Sequence, residues 1–244
     1  MNRFAEMLLE FFFPSQCVLC GSVLPLEQKE KGICKECVHA IPFLLGRQCE
    51  KCGRTLEKQA FCHRCALEDF PFSKGCAAFS YEVMRDAIAY LKFQGFRHDA
   101  EALGSLMASY LQKTHEDWID WADYMTAVPL HIKKEAHRGF NQADRLCCVL
   151  ADKTGIAYVP HLLERRVHTK PQSNLTAKQR RDNLKDVFAL AEGQTVEEKH
   201  ILLVDDIFTT GTTMKECTRV LLRGGAAEVR VFCLSVVEDM EEST

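Results

Sequence analysis

Thirteen consecutive residues, Ile201-Leu-Leu-Val-Asp-Asp-Ile-Phe-Thr-Thr-Gly-Thr-Thr213, hold the side chains best suited to chemistry. Ile201 to Val204 predict a short buried strand, Asp205 and Asp206 stand at its C-terminal end, and a small-residue loop leads into a helix from Thr212. Open parallel sheets bind their ligands at such a place. Backbone N–H groups of the loop and of the first helical turn suit a phosphate, and the hydroxyls of Thr209, Thr210, Thr212 and Thr213 add donors. Gly211 permits close backbone approach. Asp205 and Asp206 are acceptors for the two hydroxyls of a ribose and lie within reach of a Mg²⁺ ion. Phosphate, diol and metal together describe a phosphorylated pentose.

Two other readings compete for this segment. An aspartate after an apolar strand also marks a Walker B motif, but the chain carries no Gly-x-x-x-x-Gly-Lys-Ser/Thr loop to go with it. A helix N-cap flanked by solvated aspartates accounts for one threonine, and leaves an Asp-Asp pair followed by four threonines around a glycine without a reason.

The second constellation is four Cys-x-x-Cys pairs: Cys17 with Cys20, Cys34 with Cys37, Cys49 with Cys52, and Cys62 with Cys65. Two such knuckles close a tetrahedral four-cysteine zinc site with no position left for water, so the array predicts two structural zinc sites. Sequential pairing gives loops of 13 and 9 residues and is preferred, while interleaved pairing stays open. A thioredoxin-like redox motif would be one pair beside a helix, not four in series. Cys76, Cys147, Cys148, Cys217 and Cys233 lie in apolar strands or helix faces and read as small buried hydrophobes.

These residues must be held by a chain of 244 residues, enough for one good core and a small accessory module. Residues 15 to 70 carry eight of the thirteen cysteines and no long periodic apolar segment, so metal must supply their folding free energy. From Cys76 onward the texture changes: Ala77–Tyr81 predicts a strand, Met84–Phe93 and Ala100–Gln112 helices, Met125–Pro129 a strand with its loop, and Asn141–Lys153 a helix stopped by Gly155. Thr212–Arg223 predicts a helix closed by Gly224-Gly225, and Glu228–Val237 a strand. Such alternation implies an α/β fold with an open, mostly parallel sheet flanked by helices, preceded by a small Cys-rich double zinc ribbon. The expected division is 1–72 and 73–244. The polar stretch Glu164–Asp182, interrupted by Pro171, predicts a loop or lid.

A net charge of −3 gives no general attraction to nucleic acid, so any such contact requires a local patch. The apolar run Phe4–Phe13 is broken by Glu6 and Glu10 and is too short to span a membrane. It also lacks the look of a signal peptide, which predicts a cytoplasmic protein without membrane insertion.

The thirteen-residue segment resembles the 5-phosphoribosyl 1-pyrophosphate (PRPP) signature of type I phosphoribosyltransferases. Beyond it, the chain is similar to the ComF competence family over nearly its whole length. That likeness rests on Cys17-Val-Leu-Cys20, Tyr90-Leu-Lys-Phe-Gln-Gly95, Val128-Pro-Leu-His131, Arg138-Gly-Phe-Asn-Gln142, then Gln172, Leu175, Arg180 and Asn183, and finally the PRPP segment.

The resemblance implies a type I phosphoribosyltransferase fold that binds PRPP with Mg²⁺, alongside two structural zinc ions. Val128, Pro129, Leu130 and His131 would contact pyrophosphate, and Asp205, Asp206, Thr209, Thr210, Gly211, Thr212 and Thr213 the pentose phosphate. Asp205, Asp206 and Arg138 are the catalytic candidates. Gln172, Arg180 and Asn183 fall in the expected lid, and Lys92 reads as a solvated helix face. The implied reaction displaces pyrophosphate at the anomeric carbon, with positioning and charge stabilisation supplied by the protein. Nothing in the residues identifies the acceptor. The family further implies a role in uptake of transforming DNA, with single-stranded DNA and a helicase-like competence partner as possible ligands. A non-catalytic PRPP sensor or single-strand-binding module is the alternative. Lys35, Arg47, Lys51, Arg54, Lys58 and Arg64 are the ribbon cations available for nucleic acid, with Arg47 and Arg54 as the pair to test.

Overall fold

A computed structural model describes residues 14–25, 27–28, 32–93, 97–130, 135–136, 138–166 and 187–238. Its centre is a five-stranded sheet in the order β1, β7, β6, β2, β3, with every neighbouring pair parallel. The strands are β1 (Gly75–Ser80), β2 (Tyr124–Ala127), β3 (Ala157–Tyr158), β6 (His200–Phe208) and β7 (Glu228–Val236). Two further strands, β4 (Leu163–Arg165) and β5 (Phe188–Leu190), form a separate antiparallel pair. The helices that follow β1 are α3 (Tyr81–Phe93), α4 (Arg97–Thr114) and α5 (Asp117–Trp121); α6 (Gln142–Thr154) connects β2 to β3 and α7 (Thr212–Arg223) connects β6 to β7. Parallel strands covered on both faces need continuous apolar sequence. Ile201 to Val204 and Val231 to Leu234 meet that requirement and are fully or almost fully buried.

The expected elements fall where the sequence put them, with three differences. β6 runs on to Phe208, so Asp205 and Asp206 belong to the strand and keep ladder register with β7, Asp205 opposite Cys233. The short elements β3, β4, β5 and α5 were not anticipated; two to five residues show no period. Glu164 and Arg165 of the expected lid lie in β4, whereas Gln172, Leu175, Arg180 and Asn183 lie outside the described residues.

The Cys-rich stretch folds as two similar units on opposite faces of the sheet. In each, the first knuckle is closed by the same turn: Cys17 N–H bonds Ser22 O and Cys49 N–H bonds Arg54 O, with Gly21 and Gly53 at φ of 73° and 78°. A short helix carries the second knuckle, α1 (Lys35–His39) or α2 (His63–Leu67). Leu24 and Ile33 of the first unit share a core with Phe79, Met84 and Leu234. Phe70 and Phe72, which follow the second unit, share the other core with Phe208, Met214 and Val231. The ribbons therefore borrow their cores from the sheet, in addition to the metal that the sequence points to.

Candidate phosphate site and metal centres

The switch point of the sheet lies between β2 and β6. From these neighbours the chain leaves in opposite directions, through α6 to β3 on one side and α7 to β7 on the other, and such a crevice is where open sheets take ligands. The loop after β2 is tied to β6, because Val128 N–H donates to Val204 O at 2.9 Å, beside Asp205. Val128 is further fixed by Asn141, whose Nδ2 donates to Val128 O at 2.9 Å while its Oδ1 caps α6 by accepting from Ala143 N at 3.1 Å. The sequence motif alone assigns Asn141 no role; an asparagine at the N-cap position of the following helix is the signal for one. Arg138 donates through Nη1 to Gln142 Oε1 at 3.0 Å. His131 lies outside the described residues.

At the end of β6, Asp206 N–H donates to Asp205 Oδ1 at 2.8 Å. Burial and the neighbouring negative charge of Asp206 push the Asp205 carboxyl well up, against the pull of that hydrogen bond and of Lys92. Lys92, on the last turn of α3, places Nζ 2.8 Å from Asp206 Oδ2, with only 21% of its side chain exposed. It is thus a site cation and not a solvated surface lysine, a correction to the sequence reading. The pairing spans more than a hundred residues of sequence, and local spacing carries no trace of it.

The loop that follows is braced from the ribbon side. Gly211 adopts φ +76°, and a Cβ there would sit 2.5 Å from the Phe208 ring and 2.7 Å from that of Phe70. Only glycine fits. Thr210 and Thr212 share a hydroxyl hydrogen bond of 2.9 Å, and the Gly211 carbonyl accepts from Lys215 N. A cleft of about 220 Å³ opens here, lined by Thr210, Thr212, Lys215, Phe70, Arg64 and Glu68. Lys215 Nζ pairs with Glu68 at 2.8 Å, and this bond holds the Glu68 carboxyl below its usual range. Arg54, proposed from sequence as a nucleic-acid contact, is 2% exposed and bonded inside the protein, so it offers no surface to a strand.

The eight cysteines gather as Cys17, Cys20, Cys34, Cys37 and as Cys49, Cys52, Cys62, Cys65, the sequential pairing, with the sulfurs of each group within 4.8 Å of one another. A tetrahedron of ~2.3 Å Zn–S bonds has edges of about 3.8 Å. Cys20 and Cys34 sulfurs stand 3.7 Å apart and those of Cys52 and Cys62 3.8 Å, which fits zinc. Backbone N–H groups of Cys34, Cys37 and Cys65 point at Cys17, Cys34 and Cys62 sulfurs at 3.4 Å, as a thiolate requires. Hydrogen bonding to Ser22 draws the Cys20 thiol down to about 6, and bonds from Cys52 and Cys65 hold Cys49 well below the thiol range. Burial lifts Cys37, and bonds to Cys49 lift Cys52 and Cys65; a dication relieves that crowding of negative charge.

Comparison with known proteins agrees with this geometry. Residues 8–66 match the double zinc ribbon domain and residues 150–242 the phosphoribosyl transferase domain. The DNA utilization protein YhgH of Salmonella typhimurium is 33% identical over 224 residues, covering 91% of this chain and 96% of that protein. Competence protein F of Haemophilus influenzae is 30% identical over 235 residues, covering 92% and 98%. Among solved structures, a glutamine PRPP amidotransferase from B. subtilis matches at 22% identity and a TM-score of 0.39, over 55% of this chain and 26% of that one, about a quarter of its length. No helix among the described residues is long and apolar enough to cross a membrane. With relatives of this identity along nine-tenths of its length, the chain belongs to the ComF family and is a competence-related, phosphoribosyltransferase-like protein with an N-terminal double zinc ribbon.

Proposed function

We propose that this protein binds PRPP with Mg²⁺ at the end of β6 and acts as a phosphoribosyltransferase during cytoplasmic handling of transforming DNA, beside a helicase-like partner. One observation carries the reading: the acidic pair Asp205 and Asp206 is continuous with a glycine-hinged threonine loop that opens directly onto the first turn of α7. The acids take the ribose hydroxyls and the metal, and the loop N–H groups with Thr209, Thr210, Thr212 and Thr213 take the 5′-phosphate. Val128, whose carbonyl Asn141 holds, would contact pyrophosphate together with Pro129, Leu130, His131 and Arg138. Bound Mg²⁺ would neutralise pyrophosphate charge as it leaves. The chain's own residues would hold the anomeric carbon in place and exclude water, a role in which Gln172, Arg180 and Asn183 are proposed to share. The units 1–72 and 73–244 would divide the work between metal scaffold and transfer site.

The test is calorimetric titration of the zinc-loaded protein with PRPP and Mg²⁺, beside the Asp205→Asn, Asp206→Asn variant. Binding by the wild type and loss in the variant supports the reading; no binding by the wild type ends it.

A second reading, a single-strand-binding module without turnover, draws on the second ribbon, where Phe61 is 40% exposed beside His63 and Arg64, and Arg47 is exposed. Aromatic and cationic groups in that arrangement suit stacked bases. Its test is salt-dependent binding of a short oligonucleotide, abolished by Phe61→Ala and by charge reversal at Arg47 and Lys58; unchanged affinity would remove this surface from consideration.

A further inference from the structure

One buried side chain joins the second ribbon to the phosphate loop. Arg54 donates Nη2 to Thr209 O at 2.8 Å and Nε to Val237 O at 2.7 Å, and its Nη1 lies 3.5 Å from Cys52 Sγ and 3.7 Å from Cys62 Sγ. A single guanidinium therefore touches one sulfur from each knuckle of the second ribbon, the first residue of the loop and the residue that follows β7. The guanidinium is a rigid planar fork and stays charged, so seating Nη1 on the sulfurs fixes where Nη2 points.

The peptide that Arg54 grips decides how the loop presents itself. In a planar trans peptide the Thr209 carbonyl and the Thr210 N–H point in opposite directions. Arg54, with Arg64 Nη1 at 3.3 Å from the same oxygen, holds that carbonyl toward the ribbon, which turns the Thr210 N–H away from it. Among the described residues no acceptor takes the N–H of Thr210 or Gly211. The loop thus keeps donors ready for an anion while its carbonyl is occupied.

The arginine is not a requirement of the ribbon turn itself. The first ribbon makes the same turn, and there Ser22 stands where the second has Arg54, five residues after the first cysteine in each case. Zinc loading changes the strength of the link, because metal-bound sulfurs are thiolates and accept charge-assisted hydrogen bonds, whereas free thiols accept weakly.

We propose that Arg54 is a positioning residue for the phosphate loop, coupling zinc in the second ribbon to the loop's capacity to bind an anion, so that each favours the other. Such coupling is reciprocal by thermodynamic necessity. The identity of the anion as PRPP rests on the reading above; the coupling does not.

Zinc-loaded full-length protein, with Arg54→Gln and Arg54→Lys variants, tests it in two arms. Without ligand, loop exchange is measured at the amides of Lys215 and Val237, whose N–H groups bond Gly211 O and Phe208 O at the two ends of the loop, together with zinc transfer from the buried second site to a chromogenic chelator. Outer-shell partners of metal sites typically alter metal affinity or activity ~10–100-fold, so Arg54→Gln is expected to speed zinc transfer from that site and loop exchange by about 10-fold or more. Exchange in the β6 and β7 cores should stay slow, which separates positioning from general destabilisation. Lysine restores the charge but reaches one partner at a time, so Arg54→Lys should fall between the two. With ligand, PRPP and Mg²⁺ should slow zinc transfer from the second site in the wild type and leave it unchanged in Arg54→Gln. Loop exchange unaltered by Arg54→Gln, or raised equally throughout the sheet, overturns the inference. A wild type that binds no PRPP while its ligand-free arm behaves as expected refutes the PRPP reading alone.

Discussion

Lys92 Nζ lies 2.8 Å from Asp206 Oδ2, joining the end of α3 to the acidic end of β6, and 21% and 14% of the two side chains are exposed. Exposed pairs couple by roughly 0.2–1 kcal/mol, whereas groups sheltered to this extent and hydrogen-bonded with charge contribute more, about 1.5–3 kcal/mol. A double-mutant cycle of Lys92→Met and Asp206→Asn, read by urea unfolding, should give a coupling energy of about 1–2 kcal/mol. A value below about 0.5 kcal/mol would place Lys92 back among solvated surface cations.

Gly211→Ala tests the brace between ribbon and loop. The methyl would meet the Phe208 and Phe70 rings at 2.5 and 2.7 Å in a backbone conformation that alanine adopts at a cost. Both rings are buried in the same core as the second ribbon, so neither has room to retreat. The expected loss is about 2 kcal/mol, a fall in Tm of roughly 4–8 °C for a chain of this size. A Tm within 1 °C of wild type in a thermal scan would show that the loop relaxes freely.

The two metal centres should differ in how fast they give up zinc. Cys20 is exposed and Cys37 half-buried in the first, whereas all four cysteines of the second are buried. Atomic absorption should find two zinc equivalents per chain, and a chelator should take them in two phases. Cys20→Ser should remove the fast phase and leave one equivalent. A single phase, or loss of both metals in that variant, would contradict the picture of two independent closed sites.

Much of this is legible in the sequence. The Cys-x-x-Cys spacing defined the metal groups because a knuckle is a local turn, and Thr212–Arg223 was legible because an amphipathic helix repeats every few residues and ends at glycine. Asp205 and Asp206 stood out through residue type alone. What stayed hidden depended on partners distant in sequence. Lys92 had the look of an exposed lysine until β6 was set beside α3, and Arg54 read as a nucleic-acid contact because nothing in its neighbourhood announces Thr209 or Val237. That the ribbons lie on opposite faces follows from Leu24 and Phe72 entering different cores, which no single-strand pattern encodes.

At the opposite edge of β7, Glu228 fastens the entry to the strand. Its carboxylate accepts from Ser73 Oγ, from Arg230 Nε at 3.1 Å and from Trp121 Nε1 at 3.2 Å, and Arg230 stacks on the Trp121 ring at 4.0 Å. Burial raises the Glu228 carboxyl, but the combined bonds from Ser73, Arg230 and Trp121 outweigh it and hold the group below its ordinary range. A carboxylate lowered in the folded state stabilises above its unfolded pKa, and that stability is lost as pH falls through the folded value. The wild type should therefore lose stability from about pH 5 downward, starting near the ordinary glutamate pKa of ~4.3. Glu228→Gln keeps the shape and one acceptor, so it should be less stable at pH 7 by about 1 kcal/mol, and the difference should shrink as pH falls through and below the ordinary glutamate range. Urea unfolding of both proteins from pH 7 to 3 checks this; a gap that stays constant across the range would mean that the Glu228 charge contributes nothing to holding β7 in place.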